Sequence, residues 1–144
     1  MSEKENKIIL LTGVAGFIGM HTSERLLESG YTLVGIDNLN DYYDVQLKKE
    51  RLKRLEKYAK FHFLEADIVN KGLLHQIFKK YDPSFVLHLA AQAGVRYSIT
   101  NPHAYIDANV QGFLNILEGC RSQKVEHLLY ASSSSVYGGN TNCL

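Results

Sequence analysis

The chain of 144 residues has only two cysteines, Cys120 and Cys143. They are too few and too far apart to suggest a metal site, and in a cytosolic chain they are expected to stay reduced. Cys120 falls in a helical pattern and reads as core filling. The six histidines show no ligand spacing either, so no metal is expected. Charge of one sign is lacking: the formal net charge is +1, with Lys and Arg scattered, which leaves no footprint for nucleic acid or anionic lipid. No apolar run approaches the roughly 20 residues of a membrane span. The start, Met-Ser-Glu-Lys-Glu-Asn-Lys, lacks the apolar core of a signal peptide, so a cytoplasmic protein is expected. Repeats, low-complexity tracts and linkers are absent. A single domain over residues 1–144 follows, with 45% apolar and 22% charged residues, ordinary for a globular protein.

What is present starts at Ile8. The run Ile-Ile-Leu-Leu-Thr leads straight into glycines at 13, 16 and 19, and a helical pattern follows. Strand, tight turn and helix are predicted. Unpaired N–H groups at such a helix start carry partial positive charge and suit a phosphate anion. Gly13 makes the turn, Gly16 removes a side chain where backbone and pyrophosphate approach, and Gly19 allows close helix–strand packing. A P-loop kinase is excluded, because Met20-His21 stands where Lys-Ser/Thr would be required.

The helix from Phe17 carries Ile18, Leu26 and Leu27 as its apolar stripe and stops at Ser29-Gly30. A second strand, Tyr31 to Ile36, ends at Asp37-Asn38. Asp37 lies 18 residues beyond Gly19, where a carboxylate accepts hydrogen bonds from an adenosine ribose. A 2′-phosphate would be repelled there and finds no arginine nearby in sequence, so NAD is favoured over NADP. Residues 39–44 read as a loop. Val45 to Lys57 reads as a helix with Leu47, Leu52 and Leu55 as its stripe and a mostly solvated basic face.

A third strand, Phe61 to Leu64, leads to Asp67, which either lies beside an adenine or caps a helix from about Asn70 to Lys80. A fourth strand, Phe85 to Leu89, contains His88, which reads as a hydrogen-bonded core histidine. After it come Ala90, Ala91, Ala93 and Gly94, small enough for a flat cofactor or for close helix packing. Asn101-Pro102 opens a helix to about Cys120, with Tyr105, Val110, Phe113, Leu114 and Leu117 apolar. Gly112 within it costs about 1 kcal/mol of helix propensity, which implies a close contact. A fifth strand, His127 to Ala131, ends in a serine run. Strands alternating with helices predict a Rossmann-type, doubly wound parallel sheet of order 3-2-1-4-5. The glycine turn, the Ala90–Ser98 loop and the serine run then surround one crevice.

Thr12 to Gly19, Asp37-Asn38, Asp67-Ile68, His88-Leu89-Ala90-Ala91 and Ser133 to Gly138 together resemble the extended short-chain dehydrogenase/reductases that act on nucleotide sugars. The stretches 37–44 and 91–98 resemble UDP-glucuronate 4-epimerases in particular, and the likeness spans about residues 7 to 140. It implies bound NAD⁺ and a UDP-sugar substrate. A tyrosine base takes the 4-hydroxyl proton while C4 passes its hydride to the nicotinamide; the keto sugar then turns over and is reduced on its other face. The cofactor contacts implied are Gly13, Ala15, Gly16, Phe17, Ile18, Gly19, Asp37, Asn38, Asp67, Ile68, Leu89, Ala90, Ala91 and Asn109. Ser133 matches the residue that hydrogen-bonds the reacting hydroxyl, with Ser134 and Ser135 in the same pocket. Ser98 and Arg96 stand on the substrate side, Arg96 meeting a carboxylate or phosphate or else forming a surface salt bridge.

Residues 134 and 135 discriminate within the family. Similar dehydratases carry Asp-Glu there and decarboxylases a glutamate at the second position, so two serines favour epimerisation. The base, a Tyr-x-x-x-Lys pair, departs from the pattern: none of the nine tyrosines has lysine four positions on. The lysine and cofactor of that pair lower a phenol pKa from about 10 towards neutrality. The sequence therefore resembles the cofactor half of an epimerase, truncated before the last strands and the substrate lobe. The competing reading is a non-catalytic NAD-binding module or inactive remnant. The fifth strand is expected to be an open edge that promotes self-association.

Overall fold

In the computed structural model the described residues are 7–139; Met1–Asn6 and Asn140–Leu144, including Cys143, lie outside them. The expectation for the amino-terminal leader segment and for Cys143 therefore has no structural counterpart. The elements run β1 (Ile8–Thr12), α1 (Phe17–Glu28), β2 (Thr32–Asp37), α2 (Val45–Glu56), β3 (Phe61–Glu65), α3 (Lys71–Tyr81), β4 (Phe85–His88), α4 (Tyr97–Thr100) and α5 (Pro102–Tyr105). A π-helical stretch, Ile106–Gly112, continues into α6 (Phe113–Gln123), followed by β5 (His127–Tyr130) and a 3-10 turn, Ser134–Tyr137.

All strand pairs are parallel in one five-stranded sheet of order β3-β2-β1-β4-β5, the predicted topology. The register places Thr12 opposite both Ile36 and His88, and His88 opposite Tyr130. The carboxyl ends of β2, β1, β4 and β5 thus form one rim. Strands buried on both faces read as continuous apolar runs, and successive residues divide between two layers. Ile9, Leu11 and Leu33 pack with Met20 and Leu27 of α1 and Leu52 and Leu55 of α2. Leu10, Val34, Ile36 and Val86 pack with Leu74, Ile77 and Phe78 of α3 and Ile116 of α6.

Helix faces depart from expectation in three places. In α1 the buried line is Gly19, Met20, Ser23 and Leu27, while Ile18 is 65% exposed. In α2 the buried residues are Lys48, Leu52 and Leu55, and Leu47 points outward. Lys48, Leu52 and Leu55 follow the i, i+4, i+7 spacing of one face, which Leu47 does not. In α6 and the π stretch, Val110, Leu114 and Leu117 are exposed, and Gly112, Asn115, Ile116 and Gly119 face inward.

The predicted single helix from Pro102 is interrupted by the π turns. Gly112 is required where expected: an added Cβ would lie 2.6 Å from Ile68 Cδ1. Among the described residues no helix is long and apolar enough to cross a membrane.

Candidate functional site

The turn after β1 is fixed from across the sheet. Gly13 N–H donates to Ile36 O at 2.8 Å and Val14 N–H to the same oxygen at 3.2 Å. Gly13 takes φ +75, and a Cβ there would meet Ala90 N at 2.8 Å, so the turn also packs on the strand end of β4. A Cβ on Gly19 would collide with Gly13 O, the close packing that the sequence pattern requires. Gly16 is the N-cap of α1, yet no side chain caps that helix and its first turn carries no acidic residue. By contrast, α2 and α3 are capped by Asp44 and Asn70, whose side chains accept from Gln46 N–H and Leu73 N–H. The start of α1 therefore keeps unpaired N–H groups, the arrangement that binds an anion.

A cleft of about 330 Å³ opens beside this turn. Its lining brings together Gly13, Gly16, Asp37, Asn38, Asp67, Ile68, Leu89, Ala90 and Ala91, all expected from the sequence, with Asn40, Tyr42, Tyr43, Lys48, Gln92 and Asp107 among others that were not. Asp37 accepts Ala15 N–H through Oδ2 and Leu39 N–H through Oδ1, each at 3.0 Å. An ionised carboxylate has about four acceptor positions, so acceptor capacity remains for ribose hydroxyls. Asn38 Nδ2 donates to Asp67 Oδ2 at 3.0 Å, and Asp67 Oδ1 accepts Val69 N–H at 2.9 Å. Asn70 caps α3, which removes the capping alternative for Asp67 and leaves it on the cleft wall.

The basic face of α2 is mostly solvated as expected, with Lys49, Lys53 and Arg54 exposed, and Lys48 is the exception. It is 4% exposed and donates to Asn40 O at 2.7 Å and to Asn40 Oδ1 at 2.9 Å, with Nζ 4.4 Å from the Tyr43 ring centroid. Burial pushes its ammonium below the usual lysine range; the Asp37 carboxylate opposes that shift. Arg51 Nη1 donates to Ala15 O at 3.2 Å and to Tyr43 Oη at 3.1 Å. Arg51 thus reaches the residue whose N–H Asp37 accepts, but it is not among the residues that line the cleft. The helical spacing Lys48-Leu52-Leu55 was the signal available in the sequence for Lys48.

Other expected residues lie outside the cleft lining. Phe17 and Ile18 are exposed at the start of α1. Asn109 clamps the loop after β4: its Oδ1 accepts Gln92 N–H at 2.8 Å and its Nδ2 donates to Gln92 O at 3.0 Å. Arg96 has no ion-pair partner among the described residues, so the salt-bridge alternative has no support there; Ser98 Oγ donates to Val95 O at 2.6 Å. Ser133 Oγ accepts Ser135 N–H at 3.2 Å and caps the 3-10 turn that also holds Ser134. The serine run follows β5 and Ala131, whose N–H donates to His88 O at 3.1 Å, and so lies on the same rim as the cleft without lining it. His88 is a core histidine as expected: Nδ1 is 2.7 Å from Thr12 Oγ1, the ring stacks on Phe113, and burial lowers its pKa to about 4. Among the described residues no His, Cys, Asp and Glu cluster has metal-binding geometry.

Residues 10–143 match the family profile of GDP-mannose 4,6 dehydratase. The chain is 50% identical over 132 residues to a UDP-glucuronate 4-epimerase of Thermodesulfobacterium geofontis, covering 92% of this chain and 41% of that protein. It is 51% identical over 134 residues to Protein CapI of Staphylococcus aureus, covering 93% and 40%. The crystal structure of UDP-glucuronic acid 4-epimerase from Bacillus cereus, in complex with UDP-glucuronic acid and NAD, superposes with a TM-score of 0.85 at 36% identity, covering 95% of this chain and 43% of that one. The chain thus spans about two fifths of the length of these relatives.

Proposed function

The chain belongs to the GDP-mannose 4,6 dehydratase family of extended short-chain dehydrogenase/reductases, and from that premise we propose that it is the NAD-binding portion of a cytoplasmic UDP-glucuronate 4-epimerase. One observation carries the cofactor assignment: the uncapped start of α1 and the carboxylate of Asp37 border the same cleft. The first supplies donors for a pyrophosphate, and the second supplies acceptors for a ribose. The residues fit the group on a further count. Ala90 and Ala91 line the cleft with no side chain longer than a methyl, which leaves room for a flat ring.

When bound, NAD⁺ supplies a reversible hydride acceptor for C4 of the sugar. The chain's own residues bind and orient. Phe17 and Ile18 present their N–H groups at the head of α1, Asp37 and Asn38 hold the adenosine end, and Asn109 fixes the loop of Ala90, Ala91 and Gln92 through its paired amide contacts. Ser133 hydrogen-bonds the reacting hydroxyl from the adjoining rim, with Ser135, Ser98 and Arg96 on the sugar side. Ser134 and Ser135 offer neither the acid nor the base that water elimination requires, which favours epimerisation over the dehydratase and decarboxylase alternatives.

The proton-transfer partner is the weak point of catalysis by these 144 residues, which contain no Tyr-x-x-x-Lys. That observation supports a second reading for the chain by itself: an NAD-binding module without turnover. Titration with NAD tests the shared premise. At a hundredfold excess over Kd, stabilisation of about 2.7 kcal/mol is expected, and an unchanged melting temperature at saturating NAD defeats the assignment. A coupled epimerase assay with UDP-glucuronate then separates the two readings, since measurable turnover by the 144-residue chain excludes the inactive module.

A further inference from the structure

Two loops at the mouth of the cleft touch each other, and the contact runs through tyrosines. The loop joining β2 to α2 carries Asp37 and Asn38 at its start and Tyr42 at its far side. Beyond β4, the second loop carries Ala90, Ala91, Gly94 and Arg96. The Tyr42 hydroxyl sits directly over Gly94, so that a Cβ at Gly94 would collide with it. Gly94 adopts φ +93, which turns the second loop so that backbone rather than side chain faces that hydroxyl. The Tyr42 ring packs on Tyr97 with centroids 4.9 Å apart, and Tyr97 lies 6.3 Å from Tyr105. Tyr105 in turn donates its O–H to Ala93 O at 3.1 Å and contacts Gly94 O.

The first loop has its own anchor. Buried Lys48 holds Asn40 by both its backbone and side-chain oxygens, and Asn40 N–H donates to Asn38 Oδ1 at 3.2 Å. Tyr42 is 43% exposed and belongs to neither core layer, so its ring contributes little to holding the sheet and helices together. It does line the cleft, as do Asn40, Ala91 and Gln92 from the two loops it joins.

We infer that Tyr42 is a latch, a positioning residue that spans the cleft mouth from the adenosine-side loop to Gly94 and Tyr97 and slows release of a bound dinucleotide. The inference rests on the NAD reading of the cleft. Release requires the two loops to part, so the tyrosine contacts add to the barrier for leaving. Entry proceeds while the loops are still apart. The effect therefore belongs mainly in the dissociation rate.

The test uses NADH on the 144-residue chain, with release followed by NADH fluorescence after mixing with excess NAD⁺. Tyr42→Ala is expected to raise the release rate about tenfold, the order of one aromatic contact, with the association rate within about twofold of the unsubstituted chain. Tyr42→Leu keeps apolar bulk in the loop and is expected to release nearly as fast as Tyr42→Ala, which guards against a folding defect in the smaller variant. Tyr42→Phe retains the ring on Tyr97 and is expected to fall between. Melting temperatures of the ligand-free variants are expected to stay within about 2 °C of the parent. Normal NADH binding with release from folded Tyr42→Ala and Tyr42→Leu within about twofold of the parent overturns the latch alone. Failure of the unsubstituted chain to bind NADH overturns the cofactor reading, and the latch with it.

Discussion

Asp37 at the end of β2 accepts the N–H of Ala15 at 3.0 Å, which ties the carboxylate to the glycine turn that follows β1. Its other oxygen accepts Leu39 N–H, so one side chain ties both the glycine turn and the loop after β2. Asp37→Asn replaces one acceptor oxygen by a donor and sets an NH₂ against one of these N–H groups. A loss of about 1–3 kcal/mol in stability is expected, with NAD affinity reduced by about 10- to 100-fold. Isothermal titration and urea unfolding of the same variant separate the two effects. Native NAD affinity in Asp37→Asn would remove Asp37 from the site.

His88 makes stability depend on pH in a stated direction. The neutral ring shares a short contact with Thr12 Oγ1, which also accepts Ala90 N–H at 3.2 Å, and burial holds its pKa at about 4 in place of 6.5. Between those values the unfolded chain binds a proton that the folded chain refuses. The stabilisation is therefore complete above pH 6.5, falls as pH drops towards 4 and levels off below it. The span corresponds to a loss on the order of 3 kcal/mol. Urea unfolding measured across this window for the parent and for His88→Gln checks the prediction: the variant should show a shallower decline, and identical slopes would exclude His88 as the cause.

The sheet was legible because β1, β2 and β4 are short apolar runs with stops, and because Gly13, at φ +75, and Gly19, packed on Gly13 O, have conformational and packing requirements that no other residue meets. Helix faces were not, since apolarity alone misassigned them. Across the π stretch and α6 the inward positions are Gly112, Asn115, Ile116 and Gly119. Asn115 is buried because its Nδ2 donates to Ile68 O at 2.9 Å and Val69 O at 3.1 Å, a pairing set by the position of α3. Lys48 is buried through partners eight residues back, at Asn40, that exist only once the loop has folded. The cleft followed the same division. Asp37 and Asn38 stand where a strand ends, whereas Asp107 enters the lining from a π-helical stretch that periodicity does not reveal, and Gln92 is held there by Asn109 of the same stretch.

Gly119 and Gly72 form a matched pair of helical glycines with opposite expected outcomes. A Cβ on Gly119 would lie 2.5 Å from Phe78 Cε2 and 2.7 Å from Cζ, and Phe78 is fully buried, so its ring has no room to yield. Overpacking of about 1–3 kcal/mol outweighs the roughly 1 kcal/mol of helix propensity gained, and Gly119→Ala is expected to destabilise. At Gly72 the nearest atom to an added Cβ is Asn70 Oδ1 at 3.7 Å, an ordinary contact. Gly72→Ala is therefore expected to stabilise by up to about 1 kcal/mol. Urea midpoints for the two variants settle the comparison; a stable Gly119→Ala would show that α6 shifts on α3.

Cys120 is expected to be chemically quiet. Burial among apolar neighbours raises its thiol pKa to about 11, so little thiolate exists near neutrality. Iodoacetamide labelling at pH 8 of the native chain, read by peptide mass at Cys120, should be slow and should accelerate in urea. Rapid labelling of the folded chain would contradict the packing of α6.

β5 is paired only on its β4 side among the described residues, and its outer edge presents free ladder positions flanked by Leu129 and Tyr130 at 58% and 52% exposure. An apolar groove of about 280 Å³ lined by Ile9, Leu26, Phe85, Leu87 and Leu129 lies beside it. An open, apolar edge of this kind pairs with other chains, and self-association that increases with concentration is expected. Leu129→Lys places a charge on the exposed side of the strand and opposes pairing, so it should shift the equilibrium towards monomer with little change in the cleft, which β5 does not line. Light scattering across a concentration series, for the parent and for Leu129→Lys, measures the effect. A strictly monomeric parent at high concentration would show that this edge stays unpaired despite its composition.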